Sequence, residues 1–242
     1  MSAGTGITDI HTHLLPGVDD GAKNFEESIR LIQLEAAEGV QNIILTPHYR
    51  KGMFETPQAV IKKNFDELAG RIREMPLEVR LYPGCECHAY TSLVDDLAGG
   101  RLPTLAGSSY VLTEFSDSER YSFIKWEIGE LLSAGFRPII AHAERIGVFL
   151  DDFNKLYFIQ EAGAEIQITA AALAGEISWG SKRFTQKMIR EGLVQYVASD
   201  THDGLYRRPF LEKARLMLTK KFDAETAEEL MIKNPMSILS DD

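Results

Sequence analysis

Seven short apolar runs, rich in β-branched and aromatic residues, recur along the chain at regular intervals. Their starts lie roughly 25 to 37 residues apart, which leaves room for one crossover helix between each run and the next. The pattern therefore predicts seven strands that alternate with helices. The predicted strands are ITDI (7–10), NIILT (42–46), VRLYPG (79–84), YVLTEF (110–115), PIIAH (138–142), AEIQIT (164–169) and VQYVAS (194–199).

The segment after the first strand carries the clearest helix signals. Asn24 can cap the helix N-terminus, and Glu27 three residues later completes a capping box. Gly39 follows the last helical position and is expected to end the helix. Further helices are predicted at about 57–75, 120–135, 150–162, 181–191, 208–220 and 223–233, and only the last has no strand after it.

Strands that alternate with helices indicate an α/β fold. We predict a single domain over residues 1–242, because no low-complexity linker and no long charged block interrupts the alternation. The order favours a closed or nearly closed parallel β/α barrel of the TIM type. An open doubly wound sheet has the same periodicity and stays open as the alternative.

Composition and charge narrow the possible partners. The apolar content of 44% and charged content of 26% are ordinary for a soluble protein. The formal net charge of −10 leaves no basic excess to neutralise a phosphate backbone, so we expect no nucleic-acid partner. No apolar run approaches a membrane span, MSAGTG lacks signal-peptide features, and the two cysteines are too few for a disulfide framework. These features predict a cytoplasmic protein with no membrane insertion.

Side chains that bind metals follow the ends of the predicted strands. His11 and His13 end the first strand, where residues i and i+2 point to the same face. The carboxyl ends of parallel strands share one face of a β/α fold, and that face carries the active site. Five of the six histidines therefore gather there with several acids, which predicts a multinuclear metal site. The candidate ligands are His11, His13, Asp20, His48, Glu86, Glu114, His142, Asp200 and His202.

The motifs around these residues resemble those of the PHP (polymerase and histidinol phosphatase) superfamily. The pattern is most similar to the bacterial manganese-dependent protein-tyrosine phosphatases that regulate capsular and exopolysaccharide synthesis. The resemblance implies a distorted seven-stranded β/α barrel, the PHP fold, that holds three divalent metal ions. The matching segments are DIHTHLLPGVDDG (9–21), TPH (46–48), RKGMFETP (50–57), PGCE (83–86), RLPTL (101–105), AHAER (141–145) and ASDTH (198–202).

The resemblance also implies how the ligands divide among the ions. Asp20 is the member of its pair that matches the family pattern, but Asp19 stays open as the ligand. Imidazoles mixed with carboxylates suit manganese, iron or zinc and disfavour calcium; manganese is our expectation. The implied sets are His11, His13, Glu86 and Asp200 for the first ion, Glu86, His142 and Glu114 for the second, and Asp20, His48 and His202 for the third.

Two arginines follow candidate ligands along the chain. The resemblance implies that Arg145 and Arg207 bind the substrate phosphate, to which guanidinium groups donate bidentate hydrogen bonds. Arg208 beside Pro209 competes with Arg207 for this role. We expect catalysis to depend on Arg145, Arg207, Asp20 and Glu114. The implied substrate is phosphotyrosine on the tyrosine-rich tail of an autophosphorylating bacterial kinase that controls polysaccharide synthesis.

Other functions remain as alternatives. A PHP-type phosphatase of a small molecule such as histidinol phosphate would use the same ions, and so would an exonuclease, which the net charge disfavours. A non-catalytic kinase-binding module is the alternative from another class. A cysteine-dependent phosphatase would need an arginine six positions after its nucleophile, but Thr91 and Leu93 follow Cys85 and Cys87 at that spacing.

Overall fold

The computed structural model describes residues 6–241, so most of the N-terminal segment MSAGTG lies outside the described residues. Each of the seven predicted strand positions contains a strand, and every strand pair is parallel. The strands are β1 (Ile7–Thr12), β2 (Val40–Leu45), β3 (His48–Tyr49), β4 (Arg80–Pro83), β5 (Glu86–His88), β6 (Tyr110–Glu114), β7 (Arg137–Ile140), β8 (Glu165–Thr169) and β9 (Tyr196–Ala198).

The second and third predicted strands end close to their predicted ends, and each is followed after a break by a further short strand that the sequence did not predict. Pro47, which has no amide hydrogen, separates β2 from β3, and Gly84 lies between β4 and β5. A side chain at position 84 would collide with Ile44, since an added Cβ would lie 2.7 Å from its Cγ2 atom. The pairing register is the same on both sides of the breaks, because Leu45 pairs with Pro83 and His48 with Glu86.

The breaks divide the strands into two hydrogen-bonded sheets with the orders β1-β2-β4 and β3-β5-β6-β7-β8-β9. The end of β1 also contacts the segment after β9. The Asp200 amide donates to the His11 carbonyl at 2.9 Å, and the His13 amide donates to the Thr201 carbonyl at 2.9 Å. The result is a mixed α/β fold with a curled parallel sheet, which confirms the predicted fold class.

The predicted helices are present with some differences at their ends, and three further short helices at 93–98, 170–174 and 234–238 were not predicted. Asn24 caps α1, since its side chain accepts from the Glu27 amide at 2.9 Å. The helix predicted at 150–162 is two helices, because Asp152 has an extended backbone. The helices are α1 (Phe25–Ala37), α2 (Gln58–Arg73), α3 (Leu93–Ala98), α4 (Tyr121–Ser133), α5 (Gly147–Asp151), α6 (Asn154–Glu161), α7 (Ala170–Ala174), α8 (Trp179–Arg190), α9 (Leu211–Lys221), α10 (Ala224–Glu228) and α11 (Asn234–Ile238).

A β-bulge in β1 sets the direction of the side chains of Ile10 and His11. Regular alternation would point the side chains of Ile10 and His11 to opposite faces of the sheet. Ile10 instead packs in a cluster with Leu112 and Ala198, while His11 reaches toward Glu86. The register of β1 against β2 shifts between Asp9 and Thr12, and such a bulge turns the strand so that both side chains point inward.

None of the helices in the described residues 6–241 is both long enough and apolar enough to cross a membrane.

Candidate metal centre

The nine candidate ligands converge on one site at the carboxyl ends of the strands. Most of them are buried; His48 and Glu114 are half-buried, and Asp20 is exposed. Buried histidines and carboxylates with an exposed acid at their edge indicate a cleft that is open to solvent on one side.

Glu86 lies at the centre of this cluster and is fully buried. Its Oε2 atom lies 3.2 Å from Nε2 of His11, 3.2 Å from Nε2 of His13 and 2.9 Å from Nδ1 of His48. Its Oε1 atom lies 2.9 Å from Nε2 of His142. Burial alone would raise the pKa of Glu86, but the imidazoles around it, His11 first, hold that pKa well below its usual range. The central group is therefore an ionised carboxylate that four histidines share.

The donor atoms fit divalent metal ions. Ligands about 2.1 Å from a common ion lie about 3.0–3.4 Å from one another, which is the spacing found around Glu86. Among the described residues, Glu86 Oε2, His48 Nδ1, Glu114 Oε2 and His202 Nε2 are buried without a hydrogen-bond partner. Buried polar atoms are nearly always satisfied, so unsatisfied lone pairs in one cluster indicate a cation site. Imidazole and carboxylate donors suit manganese, iron or zinc.

The geometry divides the ligands somewhat differently from the sets that the resemblance implied. Glu114 lies between two histidines, with Oε1 3.8 Å from Nε2 of His142 and Oε2 3.9 Å from Nδ1 of His48, so it also reaches the donor set of His48 and Glu86. His13 joins the third set and also remains in the first. The four sets of close donor atoms are His13, Asp20, His48 and His202; His11, Glu86 and His142; His11, His13 and Asp200; and His48, Glu86 and Glu114.

The paired aspartates have different surroundings. Asp19 accepts hydrogen bonds from His13 Nδ1 at 2.8 Å, from the His48 amide at 3.0 Å and from the Gly21 amide at 3.0 Å, so its side chain supports the cluster from behind. Asp20 Oδ1 instead lies 3.4 Å from Nε2 of His202 and 3.6 Å from Nε2 of His48. The nearby imidazole of His202 holds the pKa of Asp20 below its usual range. The structure therefore brings Asp20, and not Asp19, to the donor cluster.

Two arginines border the open side of the cluster. Arg145 Nη2 donates to Asp200 Oδ2 at 2.6 Å, and Arg207 Nη2 donates to the same oxygen at 3.1 Å. Burial alone would raise the pKa of Asp200, but Arg145 and then His11 hold that pKa well below its usual range. Arg208 points away, with Nη2 3.6 Å from Glu38 Oε1, so Arg207 is the residue of this pair at the site.

Gln167 on β8 is a site residue that the sequence reasoning missed. Its Oε1 atom accepts from Nδ1 of His11 at 3.2 Å and from the His142 amide at 2.7 Å. A carbonyl oxygen only accepts, so this contact keeps the proton on Nδ1 of His11 and leaves its Nε2 lone pair toward Glu86. The available signal was a polar residue between Ile166 and Ile168 in a fully buried strand.

Two of the converging residues have left-handed backbones. His142 has φ of 33° and Asp200 has φ of 57°, which residues with a side chain rarely adopt. Such strain concentrates at functional sites, where the surrounding fold imposes it. The sharp turns place both side chains back over the strand ends.

A family model described as capsular polysaccharide synthesis, CpsB/CapC, matches residues 7–240. The chain belongs to the CpsB/CapC family. The family match confirms the resemblance identified from the motifs.

Relatives of this CpsB/CapC protein are similar over nearly their whole length. The tyrosine-protein phosphatase CpsB of Streptococcus pneumoniae is 34% identical over 240 residues, which cover 97% of this chain and 99% of the relative. The tyrosine-protein phosphatase YwqE of Bacillus subtilis (strain 168) is 31% identical over 234 residues, which cover 94% and 92% of the two chains.

Solved structures extend the comparison to the fold. One from a study of YwqE from Bacillus subtilis and CpsB from Streptococcus pneumoniae, described as unique metal-dependent tyrosine phosphatases, superposes with a TM-score of 0.92 at 30% identity, covering 98% of this chain and 95% of that chain. The phosphotriesterase homology protein from Escherichia coli superposes with a TM-score of 0.63 at 14% identity, covering 98% and 99% of the two chains. The second likeness shows only that the fold resembles the TIM-like phosphotriesterase type.

Proposed function

We propose that this CpsB/CapC protein is a metal-dependent protein-tyrosine phosphatase that acts on a bacterial tyrosine kinase of capsular or exopolysaccharide synthesis. The observation that carries the proposal is the cluster of histidines around Glu86, with Arg145 and Arg207 at its open side. The relatives named tyrosine-protein phosphatase support the same activity. The substrate would be the tyrosine-rich tail of a kinase that phosphorylates itself.

The proposal includes a fold and a cofactor. We propose one domain over residues 1–242, in which the two sheets together form a distorted seven-stranded barrel; the backbone hydrogen bonds from Asp200 to His11 and from His13 to Thr201 support it. Three divalent ions, manganese first, would be held by the nine candidate ligands. Divalent ions in such a cluster supply an acidified water as the nucleophile and positive charge beside the phosphoryl oxygens.

The residues of the chain provide the remaining chemistry. Arg145 and Arg207 carry guanidinium groups that can donate two parallel hydrogen bonds to phosphoryl oxygens and orient the ester for in-line attack. Asp20 and Glu114 complete the cluster from its solvent-facing side, where their carboxylates would position the incoming water. The surroundings lower the pKa of the buried ligands Glu86 and Asp200. These carboxylates are therefore weak bases and would not take a proton from the water.

Phosphotyrosine fits this cleft better than phosphoserine for two reasons. Its phosphorus lies farther from the backbone, so it can reach a recessed cluster. Its phenolate is also a better leaving group than the alkoxide of serine, which lowers the barrier whatever the shape of the cleft. We propose a cytoplasmic location, where such a kinase domain would be phosphorylated, and no nucleic-acid substrate, because the net charge is −10.

The test is a comparison of kcat/KM for matched peptides at equal metal loading. We expect the phosphotyrosine peptide to be hydrolysed faster than its phosphoserine and phosphothreonine counterparts and faster than histidinol phosphate. Equal rates on phosphotyrosine and phosphoserine would contradict the substrate assignment. A clear preference for histidinol phosphate would establish the small-molecule phosphatase instead, and no turnover in fully metallated protein would favour a binding module.

A further inference from the structure

Helix α8 carries a groove on its outer face, away from the metal centre. Five cationic residues and two aromatic residues line this groove of about 830 Å³, which we call the basic groove. The aromatic residues are Trp179, at the first position of the helix, and Phe184. The cationic residues are Lys182, Arg183, Lys187, Arg190 and Lys221.

The charge of the basic groove is unusual for this protein. The chain as a whole has a net charge of −10, yet none of the five cations forms an ion pair within the described residues 6–241. The neighbouring acids have other partners, since Glu176 pairs with Lys213 and Glu191 accepts from the Tyr157 hydroxyl. A concentrated positive charge in an acidic protein attracts an anionic partner.

The basic side chains of α8 are also neighbours of one another. Arg183 and Lys187 are four residues apart and Lys187 and Arg190 are three apart, so these like charges are neighbours on the helix surface. Lys187 Nζ is held 3.6 Å from the ring centroid of Phe153, which fixes the charge in the groove. Within the described part of the chain, the fold provides no acidic side chain in the groove to offset the repulsion between these cations. An anionic ligand would offset it.

Trp179 gives the basic groove an anchor. Its side chain is 71% exposed, and the guanidinium carbon of Arg183 lies 4.5 Å from the centroid of its ring. Exposed tryptophans and arginines are the residue types most enriched among those that dominate binding energy at interfaces. The pair offers an apolar surface directly beside positive charge.

The basic groove begins at the face of the fold that carries the metal centre. The preceding strand β8 ends at that face, since Gln167 contacts His11 and Thr169 leads directly into α7. Helix α8 then runs back along the outside of the sheet, so Trp179 lies at the site-bearing end and Arg190 at the far end. A helix of 12 residues is about 18 Å long, the span of about five residues of extended chain.

We propose that the basic groove binds an acidic segment of the phosphotyrosyl polypeptide whose phosphate enters the metal centre. This inference rests on the proposed phosphatase function and names a substrate-binding surface outside its chemistry. A groove that extends along α8 to the end of α9 accepts a polypeptide chain, whereas a lipid bilayer presents a flat surface. Binding there would raise the effective concentration of the phosphotyrosine at the mouth without changing the hydrolysis step.

The test uses the double variant Arg183→Glu, Lys187→Glu in the full chain. Its substrates are phosphotyrosine peptides with an acidic or a neutral segment, joined through spacers of increasing length, together with p-nitrophenyl phosphate. We expect KM for the best acidic peptide to rise at least about tenfold, with kcat for that peptide and all constants for p-nitrophenyl phosphate unchanged. The preference of the wild type for acidic peptides should weaken as salt is added.

A matched control is Lys63→Glu, Lys125→Glu, which changes the net charge equally at exposed lysines on α2 and α4. It should leave the preference for acidic peptides intact. The Arg183→Glu, Lys187→Glu variant should in turn gain activity toward a phosphopeptide with a lysine-rich segment, which a merely misfolded protein would not do.

The outcomes separate the two proposals. A wild type that hydrolyses phosphotyrosine with no preference for any acidic peptide overturns the groove and leaves the phosphatase function standing. An equal loss in the groove variant and in the control also overturns it. Groove-dependent binding to phosphatidylserine vesicles, without an effect on peptide kinetics, would assign the surface to a membrane instead. A wild type that hydrolyses neither the peptides nor p-nitrophenyl phosphate contradicts the proposed function itself.

Discussion

Arg145 and Asp200 form the shortest arginine–carboxylate contact of the candidate metal centre, with Nη2 and Oδ2 2.6 Å apart. The Asp200 side chain is almost fully buried, while 34% of the Arg145 side chain is exposed. The arginine thus spans from the ligand cluster to the open cleft. Asp200 fixes one end of the guanidinium, and we expect its other donors to meet an entering phosphate.

The variant Arg145→Ala should retain bound metal and lose activity. An electrostatic donor to a transition state is worth about 10²–10³ in rate, so kcat/KM for a phosphotyrosine peptide should fall by that factor. Arg208→Ala is the matched control, because Arg208 pairs with Glu38 outside the cleft and its loss should have little effect. Wild-type kinetics for Arg145→Ala, with metal content measured in the same samples, would remove Arg145 from the mechanism.

Gln167→Leu should weaken metal binding without disrupting the fold. The leucine cannot accept the hydrogen bonds from the His11 ring and the His142 backbone amide, so the His11 imidazole loses its fixed orientation and the turn at His142 loses a contact. Loss of such an outer contact lowers metal affinity about 10–100-fold, which calorimetric titration of the metal-free protein would measure. Gln186→Leu, at another buried glutamine, serves as the control. Equal affinities in the two variants would show that Gln167 has no such role.

Activity should depend on metal and not on cysteine. Cys85 and Cys87 form no disulfide and are buried in an apolar cluster with Leu93 and Leu131. Such surroundings do not suit a thiol nucleophile. A chelator should abolish turnover and manganese should restore it, whereas calcium should not, because imidazoles disfavour that ion. The double variant Cys85→Ala, Cys87→Ala should keep most of its activity. Full activity after exhaustive metal removal would disprove the metal mechanism.

Glu127 on α4 should make stability fall as the pH rises. Burial, and then the charge of Glu130, raises the pKa of Glu127 from 4.5 to about 7. Between these two pH values the folded state keeps a proton on Glu127 that the unfolded chain releases. The resulting loss of stability is absent below pH 4.5 and complete above about pH 7.

Glu127→Gln should consequently melt several degrees higher than the wild type at pH 8, a gain of about 1–2 kcal/mol, and the difference should vanish near pH 4.5. Thermal denaturation across this pH range would measure it. Glu161→Gln on the exposed side of α6 should show no such trend. A constant difference between Glu127→Gln and the wild type at every pH would contradict the raised pKa.

The sequence predicted where the strands end, but not which of the side chains beyond the strand ends contact one another. Apolar runs followed by histidines or acids were enough to predict that His48, Glu86 and His142 converge, because the carboxyl ends of parallel strands lie at the same face of the fold. The partners of Glu114 depend on side-chain reach across the cleft, which periodicity does not contain. Gln167 could not be predicted for a related reason, since the sequence does not show which ligand an amide on a neighbouring strand contacts.

Some local features follow from the sequence alone. Helix α7 has a capping threonine, since Thr169 accepts from the Ala172 amide, and Gly175 ends it with φ of 87°. The break at Pro47 follows from the missing amide hydrogen of proline. The bulge in β1 was not predictable from the residues of β1 alone, because it arises from the register of that strand against β2.

The contacts between the first and the last strand have a consequence for the order of folding. The Ser199 amide donates to Asp9 across 190 residues of chain, and Asp200 and His202 follow immediately. Contacts between residues so distant in sequence form slowly, because loop-closure entropy must be lost before they form. During synthesis the histidines of the N-terminal strand emerge long before the residues that complete their sites. A nascent chain thus exposes only part of a chelating site, and the full set of donors assembles only when the two ends of the domain meet.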